Sequence, residues 1–323
     1  MSFFAIFLAL VLEQARPLTE NNPVYQLVEQ WTGWVARTLD AGVRHLAWAT
    51  WAMATLAPAM LALAIHMLAQ WGVGWLAAVM WNVALLYVTL GFRQFSHHFT
   101  DIRDALDEGD EQKARELLAR WQQVQVGEIA RSEILRHVIE YSVISAHRHV
   151  FGVFFWYAVL SVVGLGPVGA VVYRLAEYVQ RRWYREQRAD NGVSAMLADV
   201  ARGAWQVLDW LPARATALGF AIVGSFEDAM DGWRHHAQKF PQDNDGVILA
   251  ATAGAINVQL GGAPLSSSPA DGTEPQDMAD SSASTPGRPA ELAHLASVVG
   301  LVWRTVIMWL VLVALLTMAH LVG

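Results

Sequence analysis

Charged residues are distributed along this chain in blocks. Between Arg44 and Arg93 lie 48 residues without a full charge, and between Arg148 and Arg174 another 25. Runs of that length exceed what a soluble core element needs and match the roughly 30 Å of hydrocarbon that about 20 helical residues cross. Leu46 to Ile65 and Val73 to Phe92 are each long enough to span, joined by a short loop from His66 to Gly72, and they predict a transmembrane hairpin. Trp48, Trp51, Trp71 and Trp75 fall near the ends of these spans, where indoles favour the interface. Phe3 to Leu12 has no basic leader and runs into Glu13, so it reads as a short helix buried against the bundle rather than a signal peptide.

From residue 93 to 149 the pattern turns charged and helical, with two helices expected around Gly109. The next apolar run breaks at Gly164-Leu-Gly-Pro167, and its halves are too short for two spans. Residues 93–149 carry eight Lys or Arg, residues 174–202 carry six, and the 66–73 loop none. The positive-inside tendency therefore favours a broken, re-entrant hairpin over 150–173 with its tip at Gly-Leu-Gly-Pro, both basic segments facing the cytoplasm.

Gly203 to Phe226 is a membrane-depth segment that contains Asp209 and Arg214 around Pro212. Charges at that depth face a partner or a wet cavity. A direct pair between positions five apart requires the helix to break at Pro212. Ile248 to Leu260 reads as an amphipathic helix, residues 263–290 as a disordered Ser/Pro/Ala/Asp linker, and Val306 to Gly323 as a closing span. The fold class is thus an all-α, polytopic membrane helix bundle: a membrane domain over 1–262 with a cytoplasmic helical insertion at 93–149, a linker at 263–290, and a C-terminal segment at 291–323 with its transmembrane helix.

Composition supports this. Only 16% of residues are charged and 54% hydrophobic, with 15 Trp. That excludes a disordered chain, a basic nucleic-acid binder and most soluble enzymes. Without cysteine there is no disulfide framework, thiol nucleophile or thiolate-bound metal. Gly164 to Gly169 matches G-x-G-x-x-G, but it lacks a βαβ context and Pro167 removes a donor that pyrophosphate needs. His97-His98, His147/His149 and His235-His236 are adjacent or alternate, a spacing that points ligands apart on a helix. No P-loop occurs.

The stretch FRQFSHHFTDIRDALDEGDEQKAR, through Arg93, His98, Ala105, Leu106, Gly109, Asp110 and Arg115, resembles the CobD/CbiB family of membrane proteins. Glu140, Phe155-Trp156, Gly166-Pro167 and Tyr173-Arg174 fall at that family's spacing. LDWLPARATAL and FPQDNDGVILAATAGAINVQLGG are similar to two of its later elements. The resemblance covers roughly residues 5–262. It implies adenosylcobinamide-phosphate synthase activity, joining an aminopropanol phosphate to adenosylcobyric acid in cobalamin biosynthesis with ATP and Mg²⁺.

This chain departs from the synthase pattern, with Ile144, Ser145 and Arg148 where Glu, Asn and Asp are expected, and Glu177 and Gln180 where Asn and Asp stand. An arginine in place of a metal-side acid reverses the local charge that Mg²⁺ requires. With its compact length and LDWLPAR element, the chain resembles the AmpE branch of the superfamily. That resemblance implies an inner-membrane regulatory or ligand-sensing protein of β-lactamase-induction signalling, with no cofactor. The expected ligand-binding set is Arg93, His98, Glu140, Arg174, Asp209, Arg214 and Asn244, the last four around a cytoplasm-facing cavity for an anionic small molecule. The expected partner is the lipid bilayer and not nucleic acid. The synthase, with ATP and Mg²⁺, is the second reading, and a transporter, suggested by buried charges and broken helices, the third.

Overall fold

The computed structural model describes residues 2–16, 22–122, 127, 129–262, 265 and 284–322, with side chains 2, 92–97 and 320–322 outside the description. It is all-α, with no strand among the described residues. In chain order the helices are α1 (Ser2–Ala15), α2 (Pro23–Leu39), α3 (Arg44–Gly72), α4 (Trp75–Thr89), α5 (Phe92–Asp107), α6 (Glu111–Gln122) and α7 (Arg131–Ala146). A π-helical turn, His147–Phe151, leads into α8 (Gly152–Ser161). Then come α9 (Gly166–Arg188), α10 (Ala195–Val223), α11 (Phe226–His236), α12 (Asp243–Ile256) and α13 (Leu292–Val322). Among the described residues, three helical stretches are long and apolar enough to cross a membrane: 44–72, 131–161 and 292–319.

Two expectations shift here. The apolar run after Val73 reaches Phe92, but its helix stops at Thr89, too short to count among the three. The stretch 131–161 instead runs as one continuous helix through the π turn, so the edge of the expected insertion at 149 falls inside it. Charges at Arg131, Glu133, Arg136 and Glu140 hid its apolar character from a reading based on uncharged length.

The chain divides into two compact units. The first comprises 1–94, 148–212 and 310–323. Its core packs Val35 and Ala36 of α2, Ala47 and Ala54 of α3, Val179 and Trp183 of α9, and Leu197 and Ala201 of α10. Small residues at these contacts let helix backbones approach closely. Buried Ala5, Ile6 and Ala9 alternate with exposed Phe4, Leu8 and Val11 on α1, which packs on α4 with one face. Of the four tryptophans expected at the interface, Trp48, Trp71 and Trp75 are exposed, whereas Trp51 packs partly buried against this core. Ser194 caps α10: its Oγ accepts from Leu197 N at 3.1 Å, and Asp40 accepts from both Ser194 N and Oγ.

The α8–α9 connection turns at Gly164, whose φ of 78° lies in the left-handed region that favours glycine, and Pro167 opens α9. Gly169 leaves space for the Trp156 carbonyl, where a Cβ would collide. A helical hairpin with its tip at Gly-Leu-Gly-Pro is therefore present. The helix α10 runs through Pro212 unbroken. The proline leaves the Leu208 carbonyl without its i+4 donor, and the Trp156 indole donates to that oxygen at 3.1 Å.

The second unit comprises 95–147 and 213–309. Its tightest contact is between α11 and α12, where Gly232 would bring a Cβ to 2.5 Å from the Ala250 carbonyl. The helix α12 is buried on nearly every side, from Val247 to Ala253, so the amphipathic reading of Ile248–Leu260 fails. It ends at Asn257 in the left-handed conformation, φ 53°. Most of the expected linker lies outside the described residues, but residues 284–290 are held against the unit. Thr285 N donates to Leu260 O at 2.7 Å and Gln259 N to Arg288 O at 2.7 Å, and Thr285 is buried. Sequence composition does not reveal such pairing, because Ser and Thr there bond to distant backbone rather than to their neighbours.

Candidate functional site

The second unit holds a cleft of about 420 Å³ where the end of α10, α11 and the start of α12 meet. Its walls include Arg214, Trp233, Arg234, Gln238 and Asp243. Arg214 lies on the Leu-Pro-Ala-Arg element and Asn244 on the Pro-Gln-Asp-Asn element. Arg214 Nη1 donates to Asn244 Oδ1 at 3.1 Å. Asn244 is buried, and Trp233 packs against Ala217, Val247 and Ala251, which fixes the indole as an apolar wall. Two guanidinium groups, one carboxylate and an aromatic face suit a ligand with an oxyanion at one end and a donor at the other.

The first unit holds a second polar centre. Tyr173 Oη donates to Asp209 Oδ1 at 2.8 Å, with Asp209 fully buried. One residue on, Arg174 Nη1 donates to Glu177 Oε2 at 3.1 Å, and Arg181 meets Glu177 Oε1 at 2.5 Å. Arg148 and His149, both on the π turn, stand in the same electrostatic neighbourhood as Glu177. Burial pushes the Glu177 carboxyl up, but Arg181, Arg174, Arg148 and His149 outweigh it and hold the carboxyl down at about 2.

The expected site residues therefore distribute as follows. Arg214 and Asn244 come together at the cleft, and Arg174 and Asp209 both sit at the Tyr173 centre of the first unit. Asp209 accepts from Tyr173 and Arg214 donates to Asn244, and α10 runs through Pro212 without a break. Glu140 serves as a structural anchor: it accepts from Gly261 N at 2.7 Å and from Arg136 Nη1 at 3.0 Å, holding the Leu-Gly-Gly turn. His98 stacks on Trp121 at 5.8 Å. The side chain of Arg93 lies outside the described residues. Sequence reasoning missed Trp233, Arg234 and Asp243. It weighed the neighbouring His235-His236 as metal ligands, and nothing in the order of residues shows which face of α11 meets α12.

The Mg²⁺ that the synthase resemblance implies does not fit the centre at Glu177. The one carboxylate there, Glu177, is already paired with the guanidinium groups of Arg174 and Arg181, whereas Mg²⁺ wants several oxygen donors. Among the described residues no three of His, Asp and Glu gather as a metal would need.

The family profile described as CobD/Cbib protein matches residues 4–285. The cobalamin biosynthesis protein CobD of Chromobacterium violaceum is 36% identical over 182 residues, 56% of this chain and 55% of that protein. The protein of the same name from Stutzerimonas stutzeri is 29% identical over 272 residues, 81% of this chain and 83% of its own length. That from Leptospira interrogans serovar copenhageni is 27% identical over 205 residues, 59% of each chain. The chain thus spans little more than half of the first and third relatives and most of the second. No solved structure matches it. These relatives overturn the expectation of a signalling protein of the AmpE branch, since each bears the cobalamin biosynthesis name. The chain belongs to the CobD/CbiB family of membrane proteins.

Proposed function

We propose that this protein acts in cobalamin biosynthesis as a multi-pass protein of the bacterial plasma membrane, forming the amide between adenosylcobyric acid and an aminopropanol phosphate, with ATP as the activating co-substrate. The observation that carries the reading is the Arg214–Asn244 contact, which brings two family elements together beside the cleft. An aminopropanol phosphate is a short zwitterion. Arg214 and Arg234 suit its phosphate as bidentate donors, and Asp243 on the same cleft accepts from its amine. Held that way, the nitrogen is positioned rather than free to diffuse, which removes part of the entropic barrier to a condensation. Trp233 offers a face to the apolar part of the partner.

The test is conversion by the purified full chain in detergent, supplied with adenosylcobyric acid, aminopropanol phosphate and ATP, with the amide product read by mass spectrometry. Product from the parent protein and its loss in Arg214→Ala support the reading. No product and no retained corrinoid from a folded parent would remove it.

A further inference from the structure

A cavity of about 140 Å³ lies within the first unit, between the end of α3, the start of α4 and the tip of the α8–α9 hairpin. Its walls include His66 and Gln70 of α3 and Asn82 of α4, all from the stretch without a full charge, together with Tyr157 and Ser161 of α8. The Trp81 indole donates to the Ala62 carbonyl at 2.9 Å, which fixes α4 on α3 one residue before Asn82. Gly166 leaves room for Ser161, since a Cβ there would stand 2.2 Å from the serine Oγ. His66 faces Asn82, and the Tyr157 hydroxyl lies toward Asn82 and Ser161. Even so, among the described residues Nδ1 of His66 and Oδ1 of Asn82 are buried without a hydrogen-bond partner. Polar groups in membrane helices are costly unless satisfied, so two such atoms on the walls of one cavity point to a molecule that completes them. Among the described residues no Asp, Glu, Lys or Arg lines the cavity, so an ion there would lose hydration without gaining a counter-charge. Trp71, Val73 and Val162, next in sequence to Gln70 and Ser161 or nearly so, are exposed and make the surroundings of the cavity apolar.

We infer that this cavity binds an uncharged, hydroxyl-bearing group of glycerol's size, such as the headgroup of a neutral lipid. A cavity of about 150 Å³ admits a benzene ring, so the volume here suits about six non-hydrogen atoms. A hydroxyl both donates and accepts through one oxygen, so it satisfies the imidazole nitrogen in either tautomer and the amide in either orientation. A carboxylate has no hydrogen to give to Oδ1, and an ammonium has no lone pair to accept one from the imidazole. The apolar surroundings favour a lipid as the source, because an acyl chain beside Trp71 and Val162 covers apolar surface while its hydroxyls enter. The cavity shares no residue with the Arg214 cleft, and the inference does not depend on the amide-forming reading.

The test is titration of the full chain in detergent with monoolein, whose headgroup is glycerol, and with methyl oleate, which has the same chain and no hydroxyl, each read by native mass spectrometry. Saturable retention of monoolein, one per chain, is expected, and none of methyl oleate. Ala78→Leu, which fills the cavity, and Asn82→Leu, which removes its amide, should each weaken retention about tenfold. Ser161→Ala, a small truncation that the fold tolerates, should weaken it severalfold and keeps the test open if the larger changes do not fold. Arg214→Ala should leave it unchanged. A second arm adds free glycerol to the monoolein complex: displacement shows that a free polyol is also a competent source of the hydroxyls, and persistence of the complex identifies the lipid as the source. The inference fails if methyl oleate is retained as monoolein is, if the folded cavity variants bind as the parent does, if Arg214→Ala abolishes binding, or if the parent retains no monoolein and the cavity holds water alone. Monoolein retention without corrinoid binding would sink the proposed function and leave this site standing, and the converse result would do the opposite.

Discussion

The indole of Trp156 donates to the carbonyl of Leu208 at 3.1 Å, the oxygen that Pro212 leaves without a helical donor. Two elements 52 residues apart are thereby joined at the turn of α10 that also carries Asp209, whose carboxylate accepts from Tyr173. Trp156→Phe should cost about 0.5–1.5 kcal/mol, because a part-buried carbonyl loses its partner. In a Pro212→Ala background most of that cost should vanish, since an alanine at that position supplies the backbone N–H that proline lacks. Thermal unfolding of the two single variants and the double variant measures the coupling, and strictly additive costs would refute the relationship.

Glu140 predicts a different outcome from a ligand-binding residue. Its carboxylate anchors Gly261 and Arg136, so Glu140→Ala should lower stability by about 1.5–3 kcal/mol. Glu140→Gln, which keeps an acceptor for Gly261, should lose less. Unchanged thermal midpoints in both, with ligand binding lost, would return Glu140 to the binding site.

The part of the site legible in the sequence is the part carried by runs and local elements. Uncharged length marked the α3 span, Gly164-Leu-Gly-Pro167 marked the hairpin tip, and the Leu-Pro-Ala-Arg and Pro-Gln-Asp-Asn elements pointed at Arg214 and Asn244. What stayed hidden depends on partners far along the chain. Tyr173 lies 36 residues from Asp209, and Gly261 lies 121 from Glu140. No periodicity encodes such pairings. Arg136 and Glu140, two of the charges that hid the apolar character of the 131–161 helix, pair with each other within the fold, so their presence did not mark a solvated segment.

Glu177 gives the protein a specific acid sensitivity. Its carboxyl is held at about 2 in the fold against an ordinary value of 4.5. A depressed carboxylate contributes stability that is fully present above the unfolded value and is lost as pH falls toward the folded one. The window is therefore from about pH 4.5 downward to about pH 2. Between about pH 5 and pH 3 the thermal midpoint of the parent should fall more steeply than that of Glu177→Gln. Parallel curves would show that the arginines do not hold this carboxylate.

The most direct test of the central claim is corrinoid binding. Adenosylcobyric acid absorbs visible light, so its co-elution with the full chain in detergent, in the presence of aminopropanol phosphate, can be titrated. The account predicts saturable binding by the parent and about 10- to 100-fold weaker binding of aminopropanol phosphate by Arg214→Ala and by Arg234→Ala, with thermal midpoints near that of the parent. A folded parent that binds no corrinoid, or arginine variants that bind both ligands as the parent does, would contradict it.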